Sequence, residues 1–257
     1  MCLILFAHDC HPRYQLVVAA NRDEFYQRPT LPANYWPDAP HILAGRDLQE
    51  GGTWMGVTTT GRFAALTNYR DPSSHKVDAP SRGHLVENYL RCDLTPVSYL
   101  ESLPEGGAAY NGFNLLLAAD DSMYYYSNRE GQIRKVEQGV HGLSNSLLNT
   151  PWPKVSRGIR VLTDILQDED IKVERLFAMM TDQEQPEDQE LPDTGVGLEM
   201  ERMLAPIFVT SPNYGTRLTT VILVGRDNRV RFWERSYLHA RPDEWDEVHY
   251  DFKLETS

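Results

Sequence analysis

The chain has 257 residues, and 41% of them are apolar, which is enough to form a substantial core. Its 37 acidic and 25 basic side chains give a net charge of −12, which repels nucleic acid and anionic membrane surfaces. Its three cysteines are an odd number and lack a repeated metal-ligand spacing, so they favour a reducing compartment. We therefore expect a cytoplasmic protein that does not bind nucleic acid.

The chain opens with the apolar run MCLILFAHDC, which predicts a first strand over Cys2–Ala7. His8 and Asp9 interrupt this run, so it is too short for a signal peptide or a membrane span. No internal repeat or linker divides the remaining sequence. Residues 1–257 are therefore predicted to form a single domain.

Further along the chain, short β-type runs alternate with amphipathic helices. Helices are predicted over Gly83–Arg91, Pro153–Leu166 and Ile171–Met180, and the acidic segment Thr181–Asp193 is predicted to be a solvated loop. This order of strands, helices and strands predicts an α+β fold with helices packed on largely antiparallel sheets. The remaining predicted strands are Tyr14–Ala20, Trp54–Thr58, Arg62–Thr67, Phe113–Ala118, Met123–Tyr126, Val140–Ser144, Thr216–Val224 and Val230–Trp233.

Cys2 directly follows the initiator methionine. Removal of Met1 would place its thiol beside a free α-amino group with a pKa of about 7.7–8.0, which can act as the base for that thiol. The structural alternative is that Cys2 packs as a small hydrophobe. A zinc site built from Cys2, His8, Cys10 and His11 is disfavoured, because the set lacks a second ligand pair.

The predicted strand that ends at Ala20 is followed by the polar stretch NRDEF. A buried Arg22 beside Asp23 requires pairing, because unpaired buried charges are costly. One interpretation is a salt bridge that closes the strand. The other is a site in which Asp23 holds the α-amino group and Arg22 favours the thiolate of Cys2.

Asn68, Asn145 and Arg217 occupy the ends of other predicted strands. Asparagine commonly caps turns, which is the structural interpretation of both asparagines. Their amide groups are also suitable donors to a tetrahedral oxyanion in acyl transfer.

Five ordered segments together resemble the NRDE family, over Cys2 to about Val224. The segments are NRDEFYQRPT, GGTWMGV, ALTNYRDP, LSNSLLNTPWPKV and NYGTRLTTVILV. That family is similar to the cysteine N-terminal-nucleophile hydrolases, the group of penicillin V acylase, bile salt hydrolase and acid ceramidase. The resemblance implies a four-layer αββα sandwich of two mainly antiparallel sheets. It also implies hydrolysis of a linear amide with a small or lipid-like acyl group, without a metal or organic cofactor.

The resemblance also implies roles for individual residues. Cys2 matches the nucleophile, and Arg22 and Asp23 are the nearest matches to an arginine and an aspartate of the site. The hydrolases separate that pair by two residues, whereas here the two are adjacent, so Asn21 or Glu24 could fill one of the roles. The remaining site positions are matched by Asn68, Asn145 and Arg217.

A second hypothesis also follows from the resemblance, because NRDE proteins have been linked to haem mobilisation and to lipid handling. The chain would then be a non-catalytic carrier or chaperone for haem or acyl lipids in the same pocket. In either case the expected partner is a small-molecule amide or a lipid-like ligand. The sequence does not indicate an oligomeric state.

Overall fold

The computed structural model describes residues 2–255, with Cys2 described by its backbone alone. The chain divides into two compact units. The first combines the described residues up to Gln27 with Gln138–Asp251, and the second comprises Arg28–Glu137 and the residues from Phe252. The single-domain organisation stays a prediction.

The elements are numbered in chain order. The strands are β1 (Cys2–His8), β2 (Tyr14–Phe25), β3 (Thr30–Trp36), β4 (Ala39–Asp47), β5 (Met55–Thr58), β6 (Phe63–Asn68), β7 (Phe113–Ala119), β8 (Ser122–Ser127), β9 (Ile133–Lys135), β10 (Gly139–Leu143), β11 (Tyr214–Gly225), β12 (Arg229–Tyr237) and β13 (Trp245–Lys253). The α-helices are α1 (Gly83–Arg91), α2 (Pro96–Glu101), α3 (Pro153–Ile165), α4 (Val173–Met180) and α5 (Leu198–Leu204).

The first unit contains a six-stranded sheet in the order β10-β1-β2-β11-β12-β13. Strand β2 is paired antiparallel with both β1 and β11. One sheet face packs against α3 and α4, because alternate residues of β1, such as Leu3 and Leu5, join the apolar faces of these helices in one core. Helix α3 lies close to β1 at Gly158, where an added Cβ would be 2.4 Å from Leu5 Cδ1.

The second unit contains a seven-stranded sheet in the order β3-β4-β5-β6-β7-β8-β9. Helices α1 and α2 pack against it through a core that includes Leu85, Tyr89 and Leu100. The hydroxyl of Tyr99 in α2 donates a hydrogen bond to the carbonyl oxygen of Leu85 in α1, at 2.7 Å. This bond joins the two helices and satisfies a buried phenol.

Two antiparallel sheets with few helices confirm the predicted α+β class. The predicted helix over Gly83–Arg91 is confirmed at both ends. Several strand boundaries were wrong, among them β12, which continues to Tyr237. In addition, β2 continues through the polar stretch to Phe25, and its neighbour β11 begins earlier, at Tyr214. β2 and β11 are longer than predicted because they stay paired with each other over these residues, and β1 also pairs with β2 as far as Arg22. Within residues 2–255, no helix has the length and apolar character needed to cross a membrane.

Candidate functional site

Four neighbouring strands of the first unit meet at one end of its sheet. Cys2, which begins β1, is paired in register with Arg22 near the end of β2. Arg22 is in turn paired with Leu218 near the start of β11. On the other side of β1, Ile4 is paired with Leu143, the last residue of β10. The antiparallel pairing therefore brings the start of β1, the end of β2, the end of β10 and the start of β11 to the same end of the sheet. Each of these strand ends carries or adjoins predicted site residues.

The Cys2 side chain lies outside the described part of the structure, so the position of the predicted nucleophilic sulfur stays a prediction. Its backbone position is described, as the register partner of Arg22. The other two cysteines, Cys10 and Cys92, are free thiols. Cys10 is exposed, but partial desolvation of its thiol and the negative charge of Asp9 both raise its pKa, so Cys10 is disfavoured as a thiolate nucleophile.

Arg22 is the register partner of Cys2, and the nearby Arg217 donates a hydrogen bond from Nη1 to the carbonyl oxygen of Phe25 at 2.9 Å. Arg22 is buried, with its Nη2 atom 3.9 Å from Glu24 Oε2. The pairing of β2 with β11 shifts between Thr216 and Leu218, so Arg217 is the extra residue of a β-bulge rather than the first residue of a strand. Burial lowers the pKa of Arg217, and the positive charge of Arg22 adds to this effect. The two guanidinium groups are therefore close enough for the positive charge of Arg22 to act on Arg217.

Asp23 is buried on the opposite sheet face from Arg22, because adjacent strand residues point to opposite faces. The hydroxyl of Thr216 donates a hydrogen bond to Asp23 Oδ1 at 2.7 Å and accepts one from the backbone N–H of Val209 at 2.9 Å. Burial raises the pKa of Asp23, while the positive charge of Lys154 and the Thr216 hydrogen bond oppose the shift. A carboxylate held in this way is suited to pairing with a nearby cation.

Asn21, one of the alternatives for the site, is engaged in structural hydrogen bonds. Its Nδ2 atom donates to the carbonyl oxygens of Met180 at 2.8 Å and Ile207 at 2.9 Å. Its Oδ1 atom accepts from the hydroxyl of Thr219 at 2.6 Å. These bonds tie β2 to the end of α4 and to the segment before β11. They favour Arg22, Asp23 and Glu24 over Asn21 as the site residues of this stretch.

The two predicted oxyanion donors lie in different units. Asn145 is buried two residues after the end of β10, and the Ser144 hydroxyl lies 3.4 Å from its Oδ1 atom. Asn68 is the last residue of β6 in the second unit, where it is paired with Phe113 of β7. Its role stays a prediction.

Lys154 was not predicted as a site residue. It lies in the first turn of α3 and is only 4% exposed. The sequence spacing could have indicated its burial, because Lys154, Gly158 and Leu162 follow each other at four-residue intervals and so lie on one face of the helix, the buried one. A lysine at such a position is unusual, since an ammonium group is rarely buried without compensation.

The two histidines considered as metal ligands, His8 and His11, are both buried. His11 is buried, and its Nδ1 atom accepts hydrogen bonds from the backbone N–H groups of Arg13 and Tyr14, while Nε2 lies 3.1 Å from the carbonyl oxygen of Asp168. This arrangement fixes a neutral tautomer with the proton on Nε2. In the part of the chain that the structure describes, no group of three or more His, Cys, Asp or Glu side chains is arranged to hold a metal ion.

Comparison with known structures defines the class of fold. The conjugated bile acid hydrolase from Clostridium perfringens is similar over 99% of this chain and 97% of its own, with a TM-score of 0.52 and 8% sequence identity. At that identity the similarity shows the fold alone, which is that of the N-terminal-nucleophile hydrolases.

Sequence comparison defines the family. The model of the family described as Transport and Golgi organisation 2 matches residues 1–239, and the chain belongs to that family. The chain is 38% identical over 282 residues to the Transport and Golgi organization protein 2 homolog of Bos taurus, covering all of both chains. It is 30% identical to Transport and Golgi organization protein 2 of Drosophila melanogaster, covering 98% of each.

Proposed function

We propose that the chain is a cysteine N-terminal-nucleophile amidohydrolase that acts on a linear amide with a small or lipid-like acyl group. The observation that supports this proposal is the meeting of β10, β1, β2 and β11 at one sheet end. There the register partner of Cys2 is a buried arginine, and the next residue is a buried aspartate. A protein fold keeps such charges buried only where other groups compensate them.

In the proposed reaction, removal of Met1 exposes the α-amino group of Cys2, and that amine takes the proton of the thiol. The sulfur attacks the amide carbonyl carbon, and the negative charge moves to the carbonyl oxygen. The C–N bond then breaks, the α-amine returns the proton to the leaving nitrogen, and a thioester remains. Water adds to the thioester carbonyl, and the acid and the free thiol are released.

The buried residues have complementary roles in this scheme. The positive charges of Arg22 and Arg217 favour the thiolate over the thiol. The carboxylate of Asp23 orients the α-ammonium group. Asn145 donates to the oxyanion, a contribution worth on the order of 10²–10³ in rate, and Asn68 is kept as the second predicted donor. The free thiols Cys10 and Cys92 lead us to propose a reducing, cytoplasmic location.

The test compares a Cys2→Ser variant with a Cys10→Ser control. Both proteins and the wild type are expressed with Met1 removed, and intact mass verifies the processing. They are incubated with N-acyl amino acids and N-acyl amines, and release of the amine is measured. We expect release by the wild type and by Cys10→Ser, with loss in Cys2→Ser because a hydroxyl is far less ionised than a thiol.

The carrier hypothesis gives the opposite result. Haem and a fatty acyl ligand are added to the same three proteins, and the change in thermal midpoint is recorded. Equal stabilisation of all three proteins by either ligand, together with no amine release by the processed wild type, would refute the hydrolase and support the carrier.

A further inference from the structure

Lys154 is a buried cation to which the proposed reaction assigns no role. Its side chain is almost fully buried in the first turn of α3. An ammonium group is costly to bury unless other groups compensate its charge. The field of such a charge acts strongly on buried groups nearby, because water screens it less than at the surface. The role of Lys154 therefore depends on which buried groups its charge reaches.

The packing of α3 places Lys154 on the helix side of the first unit's sheet. One turn further along the helix, Gly158 lies against Leu5 of β1. Lys154 also lines a cleft together with Ile207. The carbonyl oxygen of Ile207 accepts a hydrogen bond from the side chain of Asn21 in β2, at 2.9 Å. Lys154 is therefore close to the last part of β2.

Asp23 lies on the same face of the sheet as α3. Val17 and Ala19 of β2 belong to the core that the sheet shares with α3 and α4. The side chain of Asn21 donates a hydrogen bond to the carbonyl oxygen of Met180, at the end of α4. Since residues two apart on a strand share a face, Asp23 continues this series. A buried cation and a buried carboxyl group are thus on one side of one sheet.

The charge of Lys154 acts on Asp23. Burial raises the pKa of Asp23, and the positive charge of Lys154 is the largest effect that lowers it, ahead of the Thr216 hydrogen bond. The negative charge of Glu24 raises the pKa of Asp23 further. Asp23 in turn contributes to the raised pKa of Tyr26. Of these neighbours, Lys154 alone carries a positive charge.

We propose that Lys154 is a positioning residue of the candidate site: its buried positive charge keeps Asp23 ionised, and the ionised Asp23 holds the α-ammonium group of Cys2. The inference rests on the proposed function, which assigns Asp23 to that amine. Lys154 acts through Asp23 and takes no part in making or breaking bonds. If an apolar side chain replaces Lys154, the carboxyl group of Asp23 should stay protonated to a higher pH and then attract the amine less.

The first test is a double-mutant cycle that needs no turnover. Unfolding of the full chain in urea is measured at about pH 7 for the wild type, Lys154→Met, Asp23→Asn and the double variant. We expect Lys154→Met to lower the folding equilibrium constant at least about tenfold more when Asp23 is present than in the Asp23→Asn background, because the amide carries no charge to be compensated. The difference should shrink towards about pH 4, where more of Asp23 is protonated.

Glu234→Gln is the matched control for a buried carboxylate in the same sheet. Glu234 is paired in register with Thr220 of β11, and the next residue, Val221, points into the core beneath the helices. Glu234 is therefore on the face away from α3. We expect Lys154→Met and Glu234→Gln to have independent effects, within about twofold in the equilibrium constant.

The double variant also covers the case in which Lys154→Met does not fold on its own. We expect Lys154→Met combined with Asp23→Asn to fold, because the buried carboxylate that lacked its compensating charge has been removed. Failure of both proteins to fold would show that Lys154 is needed irrespective of Asp23, and this would overturn the proposal.

The second test distinguishes positioning from a general loss of structure. For chains with Met1 removed, kcat/KM for amine release is measured against pH in the wild type, Lys154→Met and Lys154→Arg. Lys154→Met should move the acidic limb of the profile to higher pH by about one unit or more. Lys154→Arg keeps the positive charge and should move the limb less. A loss by the same factor at every pH would overturn the proposal.

The proposal is also overturned if Lys154→Met costs the same with and without Asp23, or if it couples equally to Glu234. The hydrolase proposal fails separately, if the processed wild type releases no amine. In that case a coupling between Lys154 and Asp23 in the unfolding cycle still supports Lys154 as the residue that keeps Asp23 ionised.

Discussion

Replacing Asn21 with alanine tests whether this residue of the NRDEF stretch is structural or catalytic. The substitution removes two hydrogen bonds to the carbonyl oxygens of Met180 and Ile207 and one from the Thr219 hydroxyl. Asn21 is buried, so water cannot readily replace its amide group. Each buried group left without its partner costs about 1–3 kcal/mol.

The Thr219 hydroxyl keeps a hydrogen bond from Tyr237, at 3.0 Å, so its cost lies near the lower limit. The two carbonyl groups then dominate, and we expect Asn21→Ala to lower the free energy of unfolding by about 3–7 kcal/mol. Asn34→Ala is the matched control, because Asn34 is exposed in β3, and we expect a change within about 0.5 kcal/mol.

Equilibrium unfolding in urea, followed by tryptophan fluorescence and circular dichroism, measures both values. A loss below about 1 kcal/mol for Asn21→Ala would refute the hydrogen-bond argument. A stable variant that has lost amine release would instead assign Asn21 to the chemistry, in one of the two roles that the sequence left open for it.

Two further predictions concern the same unit. The folded pKa of Asp23 is raised mainly by burial, so its contribution to stability is present below the unfolded pKa of about 3.9 and is lost as the pH rises through the folded pKa. The stability of the wild type relative to Asp23→Asn should therefore rise as the pH falls from about 8 to about 4, and a difference in melting temperature that stays constant over this range would contradict the argument. Gly158→Ala should lower the free energy of unfolding, measured in urea, by about 1–3 kcal/mol, because its Cβ would be 2.4 Å from Leu5 Cδ1. In a Leu5→Ala background the same substitution should cost less. An equal cost in that background would contradict the steric clash.

The sequence predicted those elements whose hydrophobic period is uninterrupted. Helix α1 has a regular apolar face, and its limits were correct. Strands β3 and β4 were missed, because Pro32, Pro37 and Pro40 interrupt the pattern that marks a strand. Strand β13 was missed for another reason: it is an edge strand with the sequence WDEVHYDFK, and its many exposed charged residues hide the alternation.

The candidate site was predictable in its residue types and less so in its geometry. Polar residues after Ala20 were read as the end of a strand, whereas β2 continues and places Arg22 and Asp23 on opposite faces of the sheet. Pairing with β1 carries β2 as far as Arg22, but local sequence could not show that Asp23 to Phe25 stay in the strand, because they pair with β11, which lies almost 200 residues later in the chain. The bulge at Arg217 depends on the same long-range pairing.

The order of strands in the first unit also bears on how the chain matures during synthesis. Strand β2 leaves the ribosome early with β1, but its other neighbour, β11, is made only after the whole of Arg28–Glu137. Until then one edge of β2 lacks the partner that it has in the finished sheet, and unpaired edges promote aggregation. The second unit has most of its residues in one continuous stretch and can fold in the meantime. The early strands of the first unit therefore have the longest wait for their final partner, and nascent chains of this protein should depend on chaperones chiefly through β1 and β2.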